Sequence, residues 1–357
     1  MIFKKINGKF LKTEKLKLNM MYTKEFLLDE INSIREEIGH DKVNIFIEDI
    51  HLKNDELWII TEDRPDKSAI IGKGGWVVGK LREKLGLESI HVESYGDFLN
   101  KKYKLELSSK TIKNLDLDLV GLKNLERTIE NKLDDIYSFS FETYFDNLEF
   151  EESENTEAVV ALSGGVDSSF SLILAKKLGF NPKAITVDPG TIILPNQFKK
   201  NIKTVTEALG VEHEYIESDY SDVVSEAFEG NVHPCGRCSK NTGELAKKYA
   251  KDNKIPIIIF GDMLATGSQC INLQDDSLYR LNLPASLSVG KQEIKSLIKN
   301  YDLKTFKGFG CPLLYEVHRK FPHMKKFSIQ RILRETRSGA LEPGEALDLI
   351  WSFYKTE

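Results

Sequence analysis

Cysteine is scarce, with four in 357 residues, too few to scaffold a fold by disulfides. No apolar run is long enough to cross a bilayer. The segment Met1 to Lys17 is studded with lysines where a signal peptide needs an apolar core. The expectation is a cytoplasmic protein with no membrane partner. Gly-Lys-Ser/Thr never occurs, which excludes a Walker-type phosphate loop, and neither internal repeats nor low-complexity tracts are present. Hydrophobic residues make up 41% and charged residues 29%, the balance of a folded chain with buried cores, and the length suggests two or three domains.

The net charge of −5 conceals an uneven distribution. Residues 1–24 hold seven lysines against one glutamate, residues 315–337 hold seven lysines or arginines against two glutamates, and residues 146–157 hold six acids and no base. The acidic stretch directly precedes the apolar run Ala158 to Leu162 and reads as an interdomain linker. The chain divides into a basic N-terminal extension (1–21), an α+β region (22–95), a connecting α/β region (96–145), the acidic linker (146–157), an α/β domain (158–312) and basic C-terminal helices (313–357).

Within the first region, Thr23 to Ile38 has helical spacing, Val43 to Ile50 and Glu56 to Thr61 alternate as strands, and Ser89 to Glu93 reads as a third strand. Between them Ile70-Ile-Gly72-Lys73-Gly74-Gly75 leads into the amphipathic segment Trp76 to Leu85. Glycines there let backbone N–H groups approach a sugar-phosphate chain while Lys73 supplies positive charge; a plain helix-to-helix turn is the alternative. In this element order, Gly72 to Gly75 resembles the GxxG loop of a KH domain of the prokaryotic arrangement, which implies RNA binding. In the connecting region, Tyr103 to Leu107 alternates like a strand and Leu117 to Tyr137 has helical character.

From Ala158 the chain reads strand, then Ser163-Gly164-Gly165-Val166-Asp167-Ser168-Ser169, then a helix through Leu178 and a strand from Lys183 to Val187. That order opens a parallel sheet. The loop suits a pyrophosphate: glycines fold the backbone around it, the serine hydroxyls donate, and the helix N-terminus offers free N–H groups. Asp167 suits Mg2+ bridging the phosphates. Ser-Gly-Gly-Val-Asp-Ser-Ser resembles the PP-loop of the N-type ATP pyrophosphatases. The resemblance implies an adenine nucleotide alpha hydrolase-like fold and ATP cleaved between its α- and β-phosphates, so that a carbonyl oxygen of the substrate is adenylated and a nucleophile displaces AMP. It also sets Val187 and Asp188 beside the adenine.

Cys235-Gly-Arg-Cys238 follows a proline, and Cys311 precedes one. Both patterns resemble the tRNA-thiolating branch of the PP-loop proteins, including archaeal iron–sulfur-dependent thiouridine synthetases, and the resemblance implies a 4Fe-4S cluster on Cys235, Cys238 and Cys311 with one iron open. Three thiolates suit a soft cluster, whereas structural Zn2+ would want a fourth ligand, for which His233 and Cys270 are candidates. Where that branch carries Gly-His-Asn-x-Asp-Asp, this chain has Phe260-Gly261-Asp262-Met263-Leu264-Ala265-Thr266-Gly267, leaving Asp262 as a stand-in metal ligand or base, or as a strand-end cap. Lys240 is the candidate for the family's lysine near the phosphates.

In the C-terminal segment Arg319, Lys320, Lys325, Lys326, Arg331 and Arg334 interleave with aromatics, a composition for phosphate contact and base stacking or for a solvated helix face. The expected function is an ATP-dependent tRNA sulfurtransferase acting on uridine, with ATP, Mg2+ and the cluster as cofactors. Its partners are tRNA and a sulfur donor (sulfide or a sulfur-carrier protein), and a homodimer is one state the sequence allows. The alternatives are an amidotransferase-like or small-molecule adenylating enzyme with structural zinc, and a non-catalytic RNA-binding protein that retains a nucleotide site.

Overall fold

The computed structural model describes residues 22–53, 55–115, 117–148, 150, 156–264, 270–275, 277–305, 308 and 310–354. They form two compact units, one of residues up to 102 with 136–138, the other of 103–135 with 139–357. The basic extension 1–21 and half of the acidic segment, residues 149 and 151–155, lie outside the described residues.

The first unit runs α1 (Lys24–Glu37), β1 (Ile47–Lys53), β2 (Glu56–Thr61), α2 (Arg64–Ile71), α3 (Trp76–Leu85), β3 (Ser89–Ser94). Its sheet has the order β1-β2-β3, with β1 antiparallel and β3 parallel to the central β2. Alternation on β2 sends Leu57 and Ile59 into a core with Leu27, Ile31, Ile34, Ile70, Val77 and Leu81 from the helices. Thr23 caps α1 by accepting from Phe26 N–H at 3.1 Å, and Asp63 caps α2 the same way through Asp66 N–H at 3.3 Å. Next come α4 (Tyr95–Lys113), α5 (Val120–Asp134) and α6 (Phe141–Asp146).

The second unit is built on β4 (Glu157–Ala161), α7 (Val166–Lys177), β5 (Asn181–Asp188), α8 (Asn196–Leu209), β6 (His213–Glu217), α9 (Ser221–Phe228), α10 (Pro234–Asp252) and β7 (Ile257–Phe260). There follow β8 (Ile271–Asp275), β9 (Leu278–Asn282), α11 (Leu283–Ser286), α12 (Lys291–Ile298), α13 (Pro312–Lys320), α14 (Lys325–Arg337) and α15 (Pro343–Ser352). The sheet order is β6-β5-β4-β7-β9-β8. All neighbours are parallel except the edge strand β8, antiparallel to β9. Strand order reverses at β4, which has β5 on one side and β7 on the other, and ligands of such sheets bind in the crevice at the carboxyl ends of the strands flanking the reversal. This is the expected α/β fold with a parallel-sheet core. No described helix is long and apolar enough to cross a membrane.

Two expectations for residues 96–145 are corrected. Tyr103 to Leu107 lies inside the 19-residue helix α4, and the described residues of this region contain helices and no strand after Ser94. The apparent alternation misled because only Leu105 is buried, while Tyr103 and Leu107 are exposed on the helix. The compact units part at Lys102/Tyr103. α5 belongs to the second unit: Gly121 sits where a Cβ would strike the Phe180 ring at 2.6 Å, and Asn124 Nδ2 donates to the Leu178 carbonyl at 2.9 Å.

Candidate active site

The apolar run Ala158 to Val160 is fully buried as β4, and Gly165 is the N-cap of α7, so Ser163 to Ser169 forms the turn at the carboxyl end of the central strand. Gly164 has φ +73°, and a Cβ there would lie 2.4 Å from the Phe198 carbonyl oxygen, which reserves the position for glycine. The loop is pre-tied: Ser168 Oγ donates to the Gly165 carbonyl at 3.0 Å and accepts from Ser163 N–H at 3.1 Å, while Asn201 Nδ2 donates to the Gly164 carbonyl at 3.0 Å. Ser169 Oγ, in the first turn of α7, is buried with no partner among the described residues.

Asp167, in the first turn of α7, meets Lys291 from the N-terminus of α12: Nζ lies 2.5 Å from Oδ1 and 2.6 Å from Oδ2. The sequence reading missed Lys291. The local signal was a helix start, Gly290 followed three residues later by Glu293, whose Oε2 accepts Gly290 N–H at 2.9 Å, but nothing in it pointed to a carboxylate 124 residues away.

At the end of β7, Gly261 presses on this loop, since a Cβ would lie 2.7 Å from Ser168 N. Asp262 follows and accepts from Arg280 at 2.5 Å. Asp167, Asp262, Cys235, Arg331, Arg334 and Phe327 line one cavity of about 1050 Å³. Residues 265–269, including Ala265 to Gly267 of the departing motif, lie outside the described residues. Val187 is buried in β5. Asp188 ends that strand, accepts Gly190 N–H at 3.0 Å and pairs with Lys199. Lys240 is exposed on α10 and does not line the cavity.

Cys235 and Cys238 occupy the first turns of α10, with Pro234 at its N-terminus, and Cys311 is the N-cap of α13, followed by Pro312. Both prolines sit where the helix N–H is unused anyway. The two helix N-termini therefore bring three sulfurs to positive dipole ends. Burial pushes the Cys235 thiol up to about 11, with Cys311 adding to the rise and Arg331 opposing it. Burial, then Cys235 and Cys311, pushes Cys238 up to about 12, and burial raises Cys311 against the N–H groups of Leu314 and Leu313. Cys311 thus opposes ionisation of both cysteines of α10, and Cys235 opposes that of Cys238, a setting in which a metal cation would stabilise thiolates. Among the described residues no three His, Cys, Asp or Glu side chains stand in closed metal-binding geometry, so the thiols would have to turn toward a bound ion.

Neither candidate fourth ligand joins them as a free group. His233 Nε2 is engaged with Ser328 Oγ at 3.2 Å, and that hydroxyl meets His318 Nε2 at 3.2 Å. Cys270 lines a separate cavity of about 580 Å³ with Ser108, Leu107 and Ser286.

The basic C-terminal residues divide. Arg331, Arg334 and Arg337 face the cavity from α14, with Arg331 Nε 3.0 Å from Glu335 Oε1. Arg319 is exposed and paired with Glu316 at 2.7 Å, Lys320 donates to the Phe228 carbonyl at 2.7 Å, and Lys326 is exposed over the Phe327 ring. Lys325 departs from the expectation of an exposed basic contact: it is buried, its ammonium 4.6 Å from the Tyr354 ring centroid, because its register puts it on the packed face of α14 with Ser328 and Ile332. In the first unit Gly72, Gly74 and Gly75 all have positive φ. Lys73 is exposed, and Trp76, just after the turn, is 65% exposed.

No protein-family model matches the chain. Among solved structures it is similar to the U34-tRNA thiolase NcsA from Methanococcus maripaludis with its 4Fe-4S cluster (TM-score 0.39, 14% identity, 74% of this chain and 81% of that one). It is also similar to the NMN synthetase from Francisella tularensis (TM-score 0.36, 17% identity, 67% and 94%). The tRNA-specific 2-thiouridylase MnmA of Persephonella marina is 31% identical over 140 residues, 34% of this chain and 37% of the relative. A far longer match, 32% identity over 253 residues, spans 70% of this chain and 92% of the Methanocaldococcus jannaschii uncharacterized protein MJ1638, and the chain belongs to that protein's family.

Proposed function

We propose that this protein is an ATP-dependent tRNA sulfurtransferase acting on a uridine. The observation that carries the reading is the cavity in which Asp167 of the glycine loop, Cys235 of the cysteine pair and the arginines of α14 face one another. A phosphate-binding turn, a sulfur ligand and cations for an RNA backbone meet there in one space. The partial likeness to a 2-thiouridylase supports the same substrate class.

The chemistry runs in two displacements. The uridine carbonyl oxygen attacks the α-phosphorus of ATP, an O–P bond forms, and pyrophosphate leaves. A sulfur nucleophile then attacks the activated carbon, the C–S bond forms, and AMP departs with the original oxygen. Backbone N–H groups of Gly164 to Val166 and the hydroxyls of Ser163 and Ser169 receive the phosphates. Asp167 would hold Mg2+, which neutralises charge developing on pyrophosphate. Val187 and Asp188 border the adenine, Asp262, paired with Arg280, is the candidate base, and Arg331 and Arg334 orient the acceptor phosphates. Lys240, exposed on α10, is a surface residue in this scheme.

Cys235, Cys238 and Cys311 would hold an iron–sulfur cluster, which supplies an iron site able to carry sulfide. The orphaned Ser169 hydroxyl and the three thiols raised by burial fit ATP and a metal respectively. The N-terminal unit, with its exposed Lys73 and Trp76, binds the tRNA as a KH-like domain. tRNA and a sulfur donor are the partners.

The test is release of pyrophosphate from ATP in the presence of tRNA, with thiolated nucleosides read by mass spectrometry. Wild type should release pyrophosphate and Asp167→Ala should lose at least about a thousandfold of that activity. Anaerobic protein should contain iron, and each of Cys235→Ala, Cys238→Ala and Cys311→Ala should lose it while ATP binding persists. ADP and phosphate as products would overturn the assignment. Zinc in place of iron would favour the adenylating enzyme with a structural metal.

A further inference from the structure

The charged group closest to the glycine loop is one that the proposed chemistry has not used. Lys291 forms both of its short contacts to Asp167 with little solvent around the pair, the side chains being 17% and 25% exposed. Groups this desolvated need counter-charges continuously. A divalent ion binding Asp167 would leave the ammonium unpaired, and the oxygens of a polyphosphate are the partner the loop itself brings within reach.

The lysine is also held from behind. Its own N–H donates to the Ala340 carbonyl at 3.1 Å, and the preceding N–H of Gly290 is capped by Glu293 at 2.9 Å. Glu293 in turn pairs with Lys132, which is fully buried and lies over the rings of Phe139 and Phe141, 5.6 and 4.9 Å from their centroids. A buried lysine is costly unless paired, so this one has a reason to be there if it fixes Glu293 and hence the start of α12.

We propose that Lys291 is an exchange cation, moving from Asp167 to the polyphosphate when Mg2+ takes the carboxylate, with Lys132 and Glu293 as positioning residues that aim it. The inference rests on the nucleotide-site reading given above. The exchange is isoelectric for the protein: one ammonium leaves a carboxylate for a phosphate oxygen, and a hydrated cation replaces it. No covalent bond changes.

The prediction has opposite signs for two ligands. Lys291→Met frees Asp167, so Mn2+ alone, read by electron paramagnetic resonance on the full chain, should bind about tenfold more tightly. The same change removes a phosphate contact, so Mg2+-ATP, read by calorimetry, should bind about tenfold more weakly, each corresponding to about 1.4 kcal/mol. Lys291→Arg should retain most of the ATP affinity.

The double variant Lys132→Met with Glu293→Gln keeps an oxygen for the Gly290 N–H without stranding a buried charge. It should shift both affinities in the same directions by a smaller factor. A merely structural lysine would weaken both ligands together, and that result, or two unchanged affinities in Lys291→Met, overturns the exchange. Unchanged affinities in a folded double variant remove Lys132 and Glu293 from the positioning role. Wild-type protein that binds no ATP would overturn the nucleotide-site reading and this inference with it, whereas wild type that binds ATP while Lys291→Met shows no split overturns this inference alone.

Discussion

Two glycine turns open helices in this chain, Gly72 to Gly75 before α3 and Ser163 to Gly165 before α7, and they are built in contrary ways. The first is open at its tip: a Cβ on Gly74 would meet only the Trp76 side chain, at 3.6 Å, and one on Gly75 would meet nothing, while Gly72 at its start is closed by the Val77 side chain at 2.4 Å. The second is closed from behind: a Cβ on Gly164 would strike the Phe198 backbone, and Asn201 and Ser168 tie its carbonyls and hydroxyls. An open turn with an exposed lysine and tryptophan can follow an extended polyanion whose position varies. A turn with fixed N–H groups suits, in the proposed function, a compact anion of one shape. The difference lies in what stands behind the glycines, not in the number of glycines.

The sharpest way to break this comparison is to add the same methyl group to both turns. Gly164→Ala must relieve both a left-handed backbone and a 2.4 Å contact with a carbonyl oxygen, so unfolding should be easier by about 3 kcal/mol or more. ATP binding should be lost with it. Gly74→Ala has only the backbone penalty, about 1 kcal/mol. Equal urea midpoints for the two variants would mean that the Phe198 contact does not govern the closed turn.

Acid offers a second, smaller lever on the unit that holds the closed turn. Burial first, then the charges of His233 and Lys325, holds His318 down from 6.5 to about 4, and the ring is 5% exposed. The unfolded chain takes up this proton near 6.5 and the folded chain only near 4. Stability is therefore intact above about pH 6.5 and falls as pH drops toward 4, by up to about 3 kcal/mol in total. Denaturant midpoints measured from pH 7 to pH 4.5 should decline for this unit, and His318→Gln should flatten the decline. A profile identical in the variant would assign the acid loss to other groups.

What could be read from the sequence follows the range of the forces involved. Strand β4, its glycine loop and α7 are written in consecutive residues, and the short apolar run within Glu56 to Thr61 forms the expected strand. The cysteine pair was visible from spacing, and its place in the first turns of α10 follows from Pro234. Lys291 was not legible, because its meaning depends on the sheet bringing α12 to the carboxyl end of β4. Nor was the fate of Lys325, since helical register decides which of two adjacent lysines is buried, and only Lys326 faces solvent. Cavity-lining arginines and surface arginines look alike until α14 is packed.

The smallest expected effect, and the one that most directly sharpens the contrast, is on the open turn. Lys73 is exposed and Gly74 has open space around it, so replacing both with aspartate disturbs no packing in the first unit beyond the strained backbone at position 74. The change removes one cation and adds two anions where a phosphate chain would pass. Affinity for tRNA in a low-salt shift assay should fall about tenfold, and the slope of log affinity against log salt should become shallower by about one contact. ATP binding by the same variant should not change, because the closed turn is held by Phe198, Asn201 and Lys291, none of which is touched. Loss of ATP affinity in the variant would show that the two turns act as one site. Unchanged tRNA affinity would make the first turn a plain helix junction and leave the cations of α14 as the RNA contact.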